Sequence, residues 1–129
     1  MAKISKIGAA IILSLFFLTA CGEDALGDRY IGFAQCLTDK QVKMYGAYWC
    51  PHCADQKSLF GKKGFEKITY IECDRNGENA NPQLCKAKKI EGYPTWEFAD
   101  KSMNAGEMTL AELSKKTGCL LPALPASEN

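Results

Sequence analysis

The chain has 129 residues, of which 16 are Lys or Arg and 15 are Asp or Glu, so its formal net charge is +1. This length supports one small domain with a single core. The charges nearly balance and form no basic stripe, which argues against electrostatic binding of nucleic acid, and we expect no nucleic-acid partner.

Residues 1–20 have the pattern of an export signal. Two lysines precede the apolar stretch Ile7 to Leu18, which is shorter than the about 20 residues that cross a bilayer. The sequence Leu18-Thr19-Ala20-Cys21 resembles the bacterial lipobox. That resemblance implies cleavage before Cys21, a lipid on its sulfur, and an exported protein anchored on the outer face of a bacterial membrane, in the periplasm or at the cell surface. A plain membrane anchor with a free Cys21 is the alternative.

Candidate helices and strands alternate through the rest of the chain. We expect a polar tether at residues 21–29, one domain at residues 30–119 and a flexible tail at residues 120–129. Patterning and turn residues predict, in order, a helix at Tyr30–Thr38, a strand at Val42–Ala47, a helix at Pro51–Phe60 broken by Gly61 and Gly64, a strand at Ile68–Cys73, a short helix at Asn81–Lys88, hairpin strands at Thr95–Phe98 and Ser102–Glu107, and a last helix from the capping box at Thr109–Glu112 to Gly118.

The motif Cys50-Pro51-His52-Cys53 lies where the first strand gives way to a helix. Two cysteines at this spacing can close a disulfide within one helical turn. The first sulfur lies near free N–H groups and the positive end of the helix dipole, which favour a thiolate. Because the thiolate is the species that attacks disulfides, the motif predicts redox chemistry, with Cys50 as nucleophile and Cys53 as resolving thiol.

The cysteine count supports an exported, disulfide-bonded domain. Removing a lipidated Cys21 from the seven cysteines leaves an even number, which suggests a disulfide framework plus a redox pair. Six cysteines allow fifteen pairings, so parity alone assigns none of them. We expect a Cys73–Cys85 bond across the polar loop, and, mainly because two cysteines then remain, a Cys36–Cys119 bond.

Several motifs together carry a family resemblance. Trp49 before the Cys50–Cys53 motif, the strand that leads into it, and Gly92-Tyr93-Pro94-Thr95 resemble thioredoxin-fold proteins over about Tyr30 to Cys119. The resemblance implies an α/β thioredoxin-like fold, with a central mixed sheet flanked by helices. It also implies that Pro94 is cis and lies against the active cysteines. Because Tyr48, Trp49 and Tyr93 flank the predicted disulfide, we expect them to offer a shallow apolar docking surface for an unfolded client chain.

The resemblance narrows when further segments are included. Met44 to Cys53, Tyr70 to Cys73, Leu84-Cys85 and Gly92 to Trp96 resemble the thioredoxin-like domain associated with bacterial vitamin K epoxide reductase homologues. This implies a free-standing thiol–disulfide oxidoreductase that works beside a quinone-linked membrane partner. It also points to the Cys73–Cys85 bond.

Two departures from ordinary thioredoxin bear on the mechanism. Met44 occupies the strand position of thioredoxin's buried acid, so the proton relay of that acid has no counterpart there. Pro-His separates the cysteines, as in DsbA-type oxidants, and His52 can stabilise the Cys50 thiolate. A stabilised thiolate makes the disulfide more oxidising, so we expect oxidation or isomerisation of client proteins rather than reduction.

Two other classes of function stay open at this stage. A zinc or copper protein could use Cys50 and Cys53, with Met103 or Met108 as a copper ligand, although the cysteine spacing lacks the second close pair of a zinc ribbon. A redox-silent binding module held by disulfides is the other alternative. For the oxidoreductase we expect no metal and no cofactor, and clients that carry cysteine thiols or disulfides.

Overall fold

A computed structural model describes residues 28–123. The predicted signal peptide, the lipidation site Cys21 and residues 124–129 of the predicted tail lie outside these residues. The elements are α1 (Ile31–Asp39), β1 (Lys43–Gly46), α2 (Pro51–Ser58), α3 (Gly61–Phe65), β2 (Thr69–Glu72), α4 (Pro82–Ala87), β3 (Thr95–Glu97), β4 (Met103–Ala105) and α5 (Leu110–Thr117).

The four strands form one mixed sheet in the order β2-β1-β3-β4. β1 pairs in parallel with β2, with Gly46 opposite Glu72, and antiparallel with β3, with Tyr45 opposite Thr95. β3 and β4 form the antiparallel hairpin that was predicted. The mixed sheet with flanking helices confirms the predicted thioredoxin-like fold class.

Local sequence signals set several helix ends. Asn81 caps α4 by accepting a hydrogen bond from the Leu84 N–H, and Pro82 takes the first helical position. Thr109 and Glu112 form the reciprocal capping box at the start of α5. Gly118 ends that helix at a φ of 76°, a left-handed conformation that glycine adopts without a steric penalty.

The chain between α2 and β2 differs from the prediction. Gly61, at a φ of 68°, interrupts the helical path after α2, but residues Gly61–Phe65 then form the short helix α3. The Phe60 ring lies 6.3 Å from Phe65 and 6.2 Å from Trp96. Tertiary packing of these rings therefore holds a helix that two glycines in five residues would not favour.

Side chains alternate between the two faces of the sheet and build two cores. The large core includes Met44, Trp96 and both cysteines of the motif. The small core centres on Tyr45, Cys73 and Cys85. Trp96 and Phe98 are buried, as predicted, but Glu97 between them is buried too.

Each core contains one disulfide. Cys36–Cys119 joins α1 to the residue after Gly118, with a Cα separation of 5.9 Å. Cys73–Cys85 joins the end of β2 to α4, at 5.7 Å. Both separations lie in the usual range for disulfides. The structure thus contains both pairings expected from the sequence.

The ordered domain extends slightly beyond residues 30–119. Arg29, expected in the tether, donates a 2.6 Å hydrogen bond to the Ala123 carbonyl, and Asp28 lies 2.9 Å from Lys63 Nζ. Leu121, expected in the flexible tail, packs against the large core. Within residues 28–123, no helix has the length and apolar character needed to cross a membrane.

Candidate functional site

The two cysteines of the motif lie at the start of α2. Cys50 is the N-cap residue in an extended conformation, and Pro51 occupies the first helical position. Cys53 lies one turn further in, and its residue is 1% exposed against 6% for Cys50. Among the described cysteines these two are unpaired. Both residues are buried, and Cys50 is the more exposed of the two.

Burial of Cys53 raises the pKa of its thiol to about 12. A hydrogen bond from the Ala47 backbone and the positive charge of Lys57 act in the opposite direction, whereas the neighbouring Cys50 adds to the increase. A thiol of this pKa is almost fully protonated at neutral pH. Cys53 must therefore lose a proton before it attacks another sulfur.

The loop before β3 lies beside the Cys50 sulfur. The Tyr93–Pro94 peptide bond is cis. Cys50 Sγ lies 3.7 Å from the Tyr93 carbonyl oxygen. The structure thus has the cis bond expected at Pro94 and places the carbonyl of the preceding residue beside Cys50.

An aromatic surface flanks Cys50. The Trp49 and Tyr93 rings meet edge to face, with centroids 6.1 Å apart. Tyr48 and Trp49 are each 58% exposed. The Trp49 indole N–H donates a 2.8 Å hydrogen bond to Asp74, whose pKa the backbone of Asn76 and this indole hold below its usual value. Large exposed aromatic groups held in this way suit the binding of an extended or unfolded segment.

The His52 side chain contacts the β4–α5 loop. Its Nδ1 lies 2.6 Å from Glu107 Oε1, and both side chains are exposed. His52, Asp55 and Glu107 each place one possible ligand atom within 4.8 Å of the others. Within residues 28–123, these three side chains are the group of His, Cys, Asp or Glu residues that lie close enough together to hold a metal ion. This group contains neither Cys50 nor Cys53, so it differs from the metal site considered from the sequence.

Gln56 anchors α2 to the rest of the domain. Its buried side chain donates to the Met108 carbonyl at 2.9 Å and accepts from the Met108 N–H at 2.7 Å and the Trp96 indole at 3.2 Å. The helix that carries the cysteines is therefore fixed against β3 and the loop before α5. Sequence reasoning missed Gln56, Asp74 and Glu107 as site residues, because their partners lie far away along the chain.

Comparisons with known proteins agree with this geometry. No protein family model matches the sequence. A protein of Arabidopsis thaliana named thiol-disulfide oxidoreductase LTO1 is 42% identical over 91 residues, which are 68% of this chain and 24% of that protein. A putative protein disulfide-isomerase of Dictyostelium discoideum is 34% identical over 80 residues, 57% of this chain and 18% of that protein.

The chain spans a quarter or less of the length of these two relatives. The matched segments cover more than half of this chain in both comparisons. The chain with the thioredoxin-like fold described above is thus similar to parts of proteins that are named for thiol–disulfide chemistry.

Proposed function

We propose that this chain is a thiol–disulfide oxidoreductase that exchanges a Cys50–Cys53 disulfide with cysteines of client proteins. The proposal depends mainly on which of the described cysteines are paired and which are not. Four are joined in disulfides that brace the two cores, and two remain unpaired at the start of α2 beside Tyr93 and Pro94. The names of the two similar proteins support the same chemistry.

In the oxidising direction, a client thiolate attacks Cys50 Sγ and breaks the Cys50–Cys53 bond. Cys53 leaves as a thiolate and takes up a proton. A second client thiolate then attacks the client sulfur of the mixed disulfide and releases the Cys50 thiolate. Two electrons pass from the client to the cysteine pair, and the client gains one disulfide. Reduction of a client follows the same steps in reverse.

The direction is proposed to be oxidation or isomerisation. The Pro51-His52 sequence between the cysteines, which resembles that of DsbA-type oxidants, and the position of Cys50 at the N-terminus of α2 support this part of the proposal, since a stabilised Cys50 thiolate favours the reduced enzyme. The His52 side chain itself binds Glu107 in the structure, so the thiolate stabilisation expected from it has no contact to carry it there. The site of action is proposed to be the outer face of a bacterial membrane, with a lipid on Cys21 as anchor. A quinone-linked membrane protein similar to vitamin K epoxide reductase is the proposed redox partner.

Thiol trapping in glutathione buffers tests the exchange activity. We expect only Cys50 and Cys53 to titrate reversibly, with a potential closer to the about −120 mV of a strong oxidant than to the about −270 mV of thioredoxin. With a reduced client, Cys53→Ala should accumulate mixed disulfides through Cys50, whereas Cys50→Ala should trap few. Equal trapping by both variants would contradict the assignment, and cysteines that stay inert would contradict the function.

The anchor has a separate test. The mature protein should fractionate with membranes and carry a lipid on Cys21, and a Cys21→Ser variant should lose the lipid. Detection of an intact, unmodified Met1 by mass spectrometry would contradict cleavage and lipidation.

A further inference from the structure

A tyrosine on β2 lies close to the inner sulfur of the motif, and a glutamate of the same strand is hydrogen-bonded to that tyrosine. Tyr70 and Glu72 are two residues apart on β2, so both side chains project from the same face of the sheet. The Tyr70 hydroxyl donates a 2.8 Å hydrogen bond to Glu72 Oε2. The residue Glu72 is 4% exposed, and its other oxygen accepts the Asp74 N–H at 2.9 Å.

Gly46 opens the space between this pair and Cys53. A β-carbon on Gly46 would lie 2.8 Å from Cys53 Sγ, 2.9 Å from the Tyr70 ring and 3.1 Å from the Tyr70 hydroxyl. The sulfur and the hydroxyl therefore border one small gap that only glycine leaves open.

The phenol is held so that it can pass a proton. Burial and the hydrogen bond to Glu72 raise the pKa of Tyr70 far above its usual value, so its hydroxyl stays protonated and donates to the carboxylate. Lys57 Nζ lies 4.0 Å from the centroid of the Tyr70 ring, and Phe65 packs edge-on against that ring. These contacts hold the ring in place beside Cys53.

From this geometry we infer that Tyr70 and Glu72 form the proton relay for Cys53, an inference that rests on the proposed exchange function. When Cys53 attacks the Cys50 mixed disulfide, its S–H proton passes to the Tyr70 oxygen as the Tyr70 proton passes to Glu72. The new bond joins Cys53 Sγ to Cys50 Sγ, and the client sulfur leaves as a thiolate. In client oxidation the proton returns by the same route to the departing Cys53.

Other charged groups around the relay must be included in any pH profile. Lys57 faces the Tyr70 ring from α2. Both cysteines of the motif also interact electrostatically with Tyr70. Tyr93, in the loop before β3, interacts with Asp74, Glu72 and the same cysteines. The relay is distinguished from these groups by its hydrogen bond and by its position beside Cys53.

Stopped-flow reaction of the reduced protein with an aromatic disulfide, Ellman's reagent, separates the two steps. Attack by Cys50 releases the first aromatic thiolate in a phase that depends on reagent concentration. Resolution by Cys53 releases the second in a phase that does not. We expect Tyr70→Phe and Glu72→Gln to slow the second phase by about 100-fold or more at pH 7 and to leave the first phase unchanged. The deficit should shrink as the pH rises, since hydroxide replaces the missing base.

Tyr45→Phe is the matched control, because Tyr45 is a second tyrosine of the same sheet with a glutamate partner, and it lies on the opposite face. It should leave the second phase and its pH profile unchanged. In the unmodified protein the second phase should slow in heavy water, a measurement that requires no variant to fold.

Two results would overturn the relay. One is a second phase in both variants with the wild-type rate and pH profile, and the other is a wild-type second phase indifferent to heavy water. Failure of the proposed function looks different, because the unmodified protein would then give no second phase and form no Cys50–Cys53 bond.

Discussion

The two faces of the sheet carry the same pair of side chains in different settings. On the small-core face, Tyr45 donates a 2.5 Å hydrogen bond to Glu97, and Lys88 Nζ lies 2.6 Å from the same carboxylate. On the large-core face, Tyr70 lies beside Cys53 and donates to Glu72, and the Asp74 backbone N–H donates to the same carboxylate.

This difference separates a structural pair from a chemical one. Lys88 neutralises the charge of Glu97 and links the C-terminal end of α4 to β3. Glu72 has no such salt bridge within residues 28–123, and a thiol that must lose a proton lies next to its partner. A buried carboxylate of the first kind should affect stability, and one of the second kind should affect the rate of exchange.

Loss of the disulfide in the large core should have the largest effect on stability. Cys36 and Cys119 are 83 residues apart in sequence, and closing a loop of that length stabilises by about 4.5 kcal/mol in the chain-entropy model. The double variant Cys36→Ala/Cys119→Ala should therefore lower the denaturant midpoint strongly. A loss no greater than that from removing the Cys73–Cys85 bond would contradict the loop-length argument.

Loss of the small-core disulfide should cost less and spare the chemistry. Cys73 and Cys85 are 12 residues apart, which corresponds to about 3 kcal/mol. Cys73→Ala/Cys85→Ala should lower the melting temperature and retain exchange activity when assayed below that temperature. If the folded variant lost exchange, the two faces would not be separable in the way proposed.

Short-range signals predicted much of the fold and the reactive pair. The capping box of Thr109 and Glu112, the Asn81-Pro82 helix start and the Cys50–Cys53 motif each act within one or two turns, and each stands where it was expected. Helix α3 was missed because its stability comes from Phe60 and Phe65 packing in the core and not from its own residues.

The buried polar groups could not be predicted from local pattern. Gln56 reaches Met108 across 52 residues, and Tyr45 reaches Glu97 across the same separation. Such partners meet only after the strands have paired, and single-sequence periodicity does not encode that distance. The family resemblance placed Tyr70 and Glu72 within a motif without giving either a role.

Filling the gap at Gly46 should disturb the large-core face selectively. Gly46→Ala places a β-carbon 2.8 Å from Cys53 Sγ, so the sulfur or the Tyr70 ring must move. We expect a destabilisation of about 2 kcal/mol and a slower resolution by Cys53. Gly32→Ala in α1 is the control, because nothing lies within 4 Å of its β-carbon, and it should stabilise slightly. Wild-type resolution kinetics in Gly46→Ala would show that the gap is not needed.

The Tyr45–Glu97 pair of the small core should affect the stability of the protein at acid pH and not its rate of disulfide exchange. Burial alone would raise the pKa of Glu97, but hydrogen bonds from Lys88 and Tyr45 hold it below its usual value. A carboxyl whose pKa is lowered on folding adds stability above its unfolded pKa of about 4.3 and loses it as the pH falls through the folded value.

Lys88→Met should remove part of that stability. Because the Lys88 side chain is 31% exposed, we expect a loss of about 1–2 kcal/mol at pH 7, less than for a fully buried pair. The difference in stability between the variant and the wild type should become smaller as the pH falls below about 4.3, where protonation of Glu97 cancels the interaction. Lys86→Met, at an exposed position in the last turn of α4, should change little at any pH. A stability difference that is independent of pH would mean that Lys88 acts by packing. The contrast between the two tyrosine–glutamate pairs would then rest on Tyr45 alone.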